Sequence, residues 1–294
     1  MAKVVRTGNA RQQEIVKLVN RLDGKYNKWN IWNDFILMFA TSIANVFPGP
    51  YRKEREESYL KTAKKYTAAE LGVFAEMMAL VVTGLDENPD QDFLGELYMC
   101  MDMGNKWTGQ FFTPYCVCKM MSLMNYADGV LEEQVRQKGF VGVTDPACGA
   151  GALLVAFANV CREKKINFQQ SCLFVAQDID QLAGMMCYIQ LSIMGCAGHV
   201  VIADTFTHPA RFYDERALLP VDGQNVWTTP MMYSDTWQIR QIAARMALLT
   251  SRIGTASEKV VEKLKTAPAV KEPEPIPVVI PELKADETGQ LSLF

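Results

Sequence analysis

Histidine is scarce in this sequence: His199 and His208 are the two present in 294 residues. Eight cysteines occur, but no two are spaced C-x-x-C, and Cys116 with Cys118 gives only a C-x-C. Structural zinc sites draw on such pairs together with histidines, so no metal site is expected. The cysteines are expected to be reduced, mostly buried thiols of a cytosolic protein. The opening MAKVVRTGNARQQ lacks the apolar stretch of a signal peptide, and the apolar runs fall short of the about 18 residues a membrane span needs. An excess of one charge is missing too, with a net charge of −3 and a pI near 5.6. Duplex binding depends on clustered Lys and Arg that neutralise phosphates. Basic residues cluster only locally here, at Arg52, Lys53, Arg55, Lys61, Lys64 and Lys65, and again at Arg240, Arg245 and Arg252. Such clusters read first as solvated helix faces, so the chain alone is expected to hold DNA weakly.

What is present is an ordinary globular composition, 49% hydrophobic and 21% charged, long enough to bury a sizeable core. Up to about residue 108 the pattern is helical. Segments near 8–22, 28–46, 52–64, 67–83 and 90–103 carry apolar residues three and four apart, as in Ile15, Leu18, Val19 and Leu22. Thr67 with Glu70 forms a capping-box start, and Phe47-Pro48-Gly49-Pro50 and Asn88-Pro89 break the helices. From about 139 strands alternate with helices. Phe140–Thr144, Leu173–Ala176, His199–Ala203 and Asn225–Thr228 read as strands, with helices to about Cys161, over 181–194 and from Asp235 onward. That alternation predicts a parallel sheet with right-handed crossovers. The expected division is a helical domain over 1–108, an α/β core over 109–265, and an extended, disordered Pro-rich tether over 266–294.

The first strand ends in Asp145-Pro146-Ala147-Cys148-Gly149-Ala150-Gly151 before a helix. Small residues let a ligand approach the backbone closely, and the helix start offers free N–H groups. Acids end the next two strands, Asp178 (with Asp180 close by) and Asp204. Open α/β sheets bind ligands at those carboxyl ends.

Asp145 through Gly151 resembles the D-P-x-C-G-S-G signature of S-adenosylmethionine-dependent DNA adenine methylases, with Ala150 in place of Ser. Gly109-Gln110-Phe111-Phe112-Thr113-Pro114 is similar to the G-E-F-Y-T-P motif of type I restriction–modification modification subunits, and Asp92–Tyr98 to the helix before it. Gln177-Asp178-Ile179-Asp180 and Ala203-Asp204-Thr205 resemble the next two cofactor motifs. The resemblance implies a Rossmann-like methyltransferase core with S-adenosylmethionine as cofactor. It implies that Asp178 bonds the ribose hydroxyls, beside Ile179, and that Asp204, beside Thr205, accepts from the adenine amino group. Gly149 and Gly151 would let the backbone approach the methionine portion within the turn formed by Asp145, Pro146, Ala147 and Cys148. Phe111, Phe112 and Thr113 would close over the cofactor, although core packing explains the two rings equally well.

The sequence departs from that family after the fourth strand. An Asn or Asp, then Pro-Pro and an aromatic residue are expected there, to localise the N6 lone pair and stack on a flipped base. Here the segment reads Thr228-Thr229-Pro230-Met231-Met232-Tyr233, leaving Thr229, Pro230 and Tyr233 as the candidate catalytic residues. The sheet is also expected to be shortened, and no segment remains for target recognition. Two readings stay open: a divergent adenine-N6 DNA methyltransferase aided by a specificity or second methylase subunit, or a catalytically silent relative that binds S-adenosylmethionine as a scaffold or regulator. Gln290-Leu291-Ser292-Leu293-Phe294 resembles the peptide by which bacterial replication and repair proteins dock on the DNA sliding clamp. That resemblance makes Gln290, Leu291, Leu293 and Phe294 candidate partner-binding residues and implies a bacterial or phage origin.

Overall fold

The computed structural model describes residues 8–101, 111–127, 129–266, 284–285 and 291–292, with side chains through Ser251. Met1–Leu248 forms one compact unit and Leu249–Phe294 a second. The first unit opens with five helices: α1 (Ala10–Leu22), α2 (Lys28–Ala44), α3 (Arg52–Ala63), α4 (Ala68–Glu87) and α5 (Phe93–Cys100). The starts of α1, α2, α4 and α5 are fixed by side chains that accept from otherwise unbonded backbone donors. Asn9 accepts from Arg11 and Gln12, Asn27 from Trp29, and Asp92 from Gly95. Thr67 and Glu70 form the expected reciprocal capping box. α4 is long and apolar enough to cross a membrane by length and composition, but its Val73, Phe74, Met77 and Val81 are buried in the shared core.

Two further helices, α6 (Tyr115–Asn125) and α7 (Val130–Lys138), lead into β1 (Val141–Asp145). Then follow α8 (Ala152–Glu163), α9 (Phe168–Ser171), β2 (Cys172–Asp178), α10 (Gln181–Ile193), β3 (Ala197–Ile202) and β4 (Val226–Thr228). A 3₁₀ turn over Pro230–Tyr233 precedes α11 (Asp235–Thr266). The sheet runs in the order β1-β2-β3-β4. β1, β2 and β3 are parallel, in the register Asp145↔Ala176 and Asp178↔Ile202. β2 is buried through Gln177, as a strand covered on both faces should be.

Two expectations change here. β4 is antiparallel to β3, pairing Thr228 with His199, so the sheet is mostly rather than wholly parallel. The helical segment also does not stand apart. α2 packs on α10, and one core runs from Trp32, Phe35 and Phe74 to Phe174, Met186 and Tyr188. Each large side chain in that core contributes about 1.5–3 kcal/mol by burial. Arg55 of α3 ties the layers further, donating to Val226 O at 2.6 Å and lying 3.9 Å above the Trp227 ring.

In the second unit, Lys284–Ala285 and Leu291–Ser292 pair as a short antiparallel ladder. Gln290, Leu293, Phe294 and most of the Pro-rich tract lie outside the described residues.

Candidate functional site

The turn after β1 is shaped by two glycines in the left-handed region, Gly149 at φ +54° and Gly151 at φ +94°. At Gly149 the space is also tight, because a Cβ would sit 3.0 Å from the Phe112 ring. Asp145 folds back on the turn by accepting from Ala147 N at 3.1 Å. Burial pushes the Asp145 carboxyl above its usual range, the Ala147 bond opposes this, and Asp178 adds to it. Cys148 N donates to Gln177 O, and the Cys148 thiol is buried, held protonated by its hydrogen bond with Cys187 and by burial.

Asp178 is the joint of the site. One carboxylate oxygen accepts from Gly149 N at 2.8 Å and the other from Asp180 N at 2.9 Å. β2 thereby positions the turn, while each oxygen keeps a lone pair for a further donor. Asp180 caps α10 by accepting from Leu182 N. Asp204, two residues beyond β3, is half-buried and held below the usual carboxylate range, first by the Phe206 N–H. Thr205 donates to Pro146 O and closes the ring of strand ends around the turn. Ile179, next to Asp178, is 70% exposed and Phe206, two residues after Asp204, 98%; Phe111 on the segment before α6 is 73% exposed. Phe112 lies inward against Tyr98, with ring centroids 5.6 Å apart, and Thr113 is exposed.

Sequence reasoning missed two contributors. Gln190 is fully buried and donates to Ala150 O and to Asp92 Oδ1, both at 2.8 Å, while accepting from Leu94 N. It fastens the turn to α5, and its signal was an amide set among apolar residues in the helix QLAGMMCYIQLSI. Phe206 was passed over because one exposed aromatic in a loop has no pattern to mark it.

The structure separates Thr229, Pro230 and Tyr233 from this turn. Thr229 is fully buried; its hydroxyl donates to Cys196 O at 2.7 Å and accepts from Gly198 N at 2.9 Å. Those partners lie at the amino end of β3, whereas the turn lies at the carboxyl ends of the strands. β4 also stands three strand spacings from β1, about 14 Å. Pro230 opens the 3₁₀ turn, and Tyr233 stacks on Phe47 at 4.4 Å and donates to Pro48 O. Thr229 therefore ties its segment to β3 and Tyr233 packs on the connection between α2 and α3, both away from the turn.

A family model described as N-6 DNA methylase matches residues 90–248, more than half of the chain. Among solved structures the chain is similar to a protein described as a class I S-adenosylmethionine-dependent methyltransferase from Listeria monocytogenes. That likeness has 13% identity and a TM-score of 0.39, and covers 75% of this chain and 67% of the other. No curated protein matches the chain.

Proposed function

Because the chain belongs to the N-6 DNA methylase family, with S-adenosylmethionine as its cofactor, we propose that it holds this cofactor for adenine-N6 methylation of DNA and that a second polypeptide supplies the acceptors for the target amine. The observation that carries this reading is a contrast: the turn is fully built, and Thr229 and Tyr233 are committed elsewhere. The residues fit the cofactor. Asp178 has acceptor capacity for ribose hydroxyls, Asp204 for an adenine amino group, and Ile179 and Phe206 offer apolar surface beside them. Gly149 and Gly151 keep the backbone bare where the methionine portion would lie.

S-adenosylmethionine supplies an electrophilic methyl group on a sulfonium. This chain's part is to orient it: the Asp178 bond to Gly149 N fixes the turn, and the Gln190 bond to Ala150 O keeps it from shifting. The Asp145 carboxylate, at the end of β1, would add negative charge near a bound sulfonium. Phe111 and Thr113, exposed on the segment before α6, would cover the bound cofactor.

Weak DNA affinity would be offset by tethering, which replaces intrinsic affinity with effective concentration. In this reading Gln290, Leu291, Leu293 and Phe294 dock on a bacterial sliding clamp. Deleting residues 290–294 is expected to abolish co-elution with the clamp and leave the melting temperature unchanged; a fall of several degrees refutes it.

The burial of Thr229 also favours a second reading, a cofactor-binding relative without transfer activity. Calorimetry with S-adenosylmethionine tests the shared premise. A radioactive methyl-transfer assay on unmethylated DNA, with the chain alone and with neighbouring-gene products, separates the two. Binding with no transfer under any combination leaves only the silent reading.

A further inference from the structure

β1 pairs with β2 on one side, and among the described residues no strand pairs with its other side. Its two faces also differ. Val141 is buried and Val143 half-buried, whereas Gly142 and Thr144 are exposed, and a Cβ at Gly142 would meet nothing within 4 Å. Leu173 and Val175, the register partners of Gly142 and Thr144, share that second face, and both are buried. Trp237 packs in one cluster with Leu173 and Phe140, and this cover does not extend to Gly142 and Thr144. α7, which leads into β1, has no buried residue. Parallel strands are normally covered on both faces, and a free edge is normally blunted by Lys, Pro or a bulge. Residues 141–144 include no Lys or Pro, and β1 keeps an unbroken register with β2.

The position of this edge narrows the occupant. Ligands of open α/β sheets sit outside the carboxyl ends of the strands, where the strand order reverses. The order β1-β2-β3 runs one way from the turn, so that reversal falls at the free edge of β1. A parallel strand added there stands about 4.8 Å from β1, with its carboxyl end next to Asp145, the first residue of the turn. β4 does not fill this place, because it lies at the opposite end of the sheet. A second copy carries the same buried Thr229 and the same Tyr233 stacked on Phe47, so pairing β1 on β1 brings no acceptors. Resting on the reading that a second polypeptide supplies those acceptors, we propose that it docks by adding a parallel β-strand to the free edge of β1. That strand is uncharged, as residues 141–144 are, and the loop after it carries the acceptors to the turn. The same polypeptide brings an apolar surface over Gly142 and Thr144.

Hydrogen exchange of the full chain, read by mass spectrometry, tests this with two synthetic peptides of alternating Val and Thr. One is unmodified, and the other is N-methylated throughout, which removes every main-chain donor. Main-chain bonds supply the affinity in strand addition, so the unmodified peptide is a sufficient probe at millimolar concentration. In the chain alone, the amides of residues 141–145 that point away from β2 should exchange quickly. The unmodified peptide should slow them about tenfold or more and leave residues 172–178 unchanged, and the methylated peptide should slow none. Protection of those amides in the chain alone, equal effects of the two peptides, or no effect of either overturns the proposal. So does sedimentation of the chain alone as a dimer whose β1 is protected, which makes a second copy the occupant. Methyl transfer that needs a neighbouring-gene product but leaves β1 exchange unchanged refutes this docking mode and spares the proposed function. Protection by the peptide in a chain that binds no S-adenosylmethionine keeps the docking edge and refutes that function.

Discussion

Replacing Asp178 by Ala removes the two acceptors that hold Gly149 N and Asp180 N. Charge-assisted hydrogen bonds contribute about 1.5–3 kcal/mol each when dry, but Asp178 is only half-buried and water takes over part of the work. We therefore expect a total loss of about 2 kcal/mol in stability. For a unit of this size that corresponds to a fall of about 4–8 °C in melting temperature. If the same carboxylate also bonds the ribose, S-adenosylmethionine affinity falls by a further 1.5–3 kcal/mol, roughly 10- to 150-fold in Kd. Asp178→Asn makes a useful companion, since its amide keeps one acceptor but turns an N–H against an N–H. It should lose most of the stability lost by Asp178→Ala. Thermal scans and calorimetry on the same preparations read the two effects separately. A variant with lowered melting temperature and unchanged Kd would show that Asp178 shapes the turn without touching the cofactor, and the assignment would fall.

Three other outcomes follow from the same geometry. Thr229→Val should lower stability by about 1–3 kcal/mol, because Gly198 N is left without its acceptor in the core, yet leave cofactor affinity unchanged; a loss of binding at full stability would return Thr229 to the site. Gly149→Ala should weaken cofactor binding, since its φ of +54° is strained for alanine and its Cβ meets Phe112; adding Phe112→Ala should restore part of the loss, and no restoration would exclude the ring as the obstacle. Burial lowers His199 from 6.5 to about 4 in the folded chain, so its contribution is fully present above pH 6.5 and is lost as pH falls from there toward 4. That loss amounts to about 3 kcal/mol, and a His199→Gln variant with an unchanged stability slope between pH 6.5 and 4 would refute it.

The geometry of the turn and the places of its acids were legible because they are set locally. Asp145, Gly149 and Gly151 sit on one strand–turn–helix, and Asp178 and Asp204 end strands whose apolar runs mark their own limits. The helical segments were legible for the same reason, from the 3.6-residue spacing and from side chains such as Thr67 and Glu70 that cap within one turn. Strand direction was not. Val226–Thr228 is too short to reveal whether it joins β1 or folds back on β3, and that choice decides whether Thr229 faces a ligand or the core. The packing of Tyr233 was not legible because its stacking partner, Phe47, lies far away in the chain. The link from Gln190 to Asp92 likewise joins residues 98 apart, a distance that no window of sequence reasoning spans.

Cys148 gives the turn a built-in clock. Its thiol is sealed within the loop that the cofactor would cover, and both Cys187 and burial hold it in the unreactive protonated form. Alkylation there must wait for the loop to open, so the modification rate scales with the fraction of molecules in which it is open. Cys100 and Cys116, which are exposed, would react at once and serve as the internal standard. A ligand that clamps the turn lowers that fraction, and mass spectrometry of this one thiol then reads out occupancy without labelled cofactor or turnover.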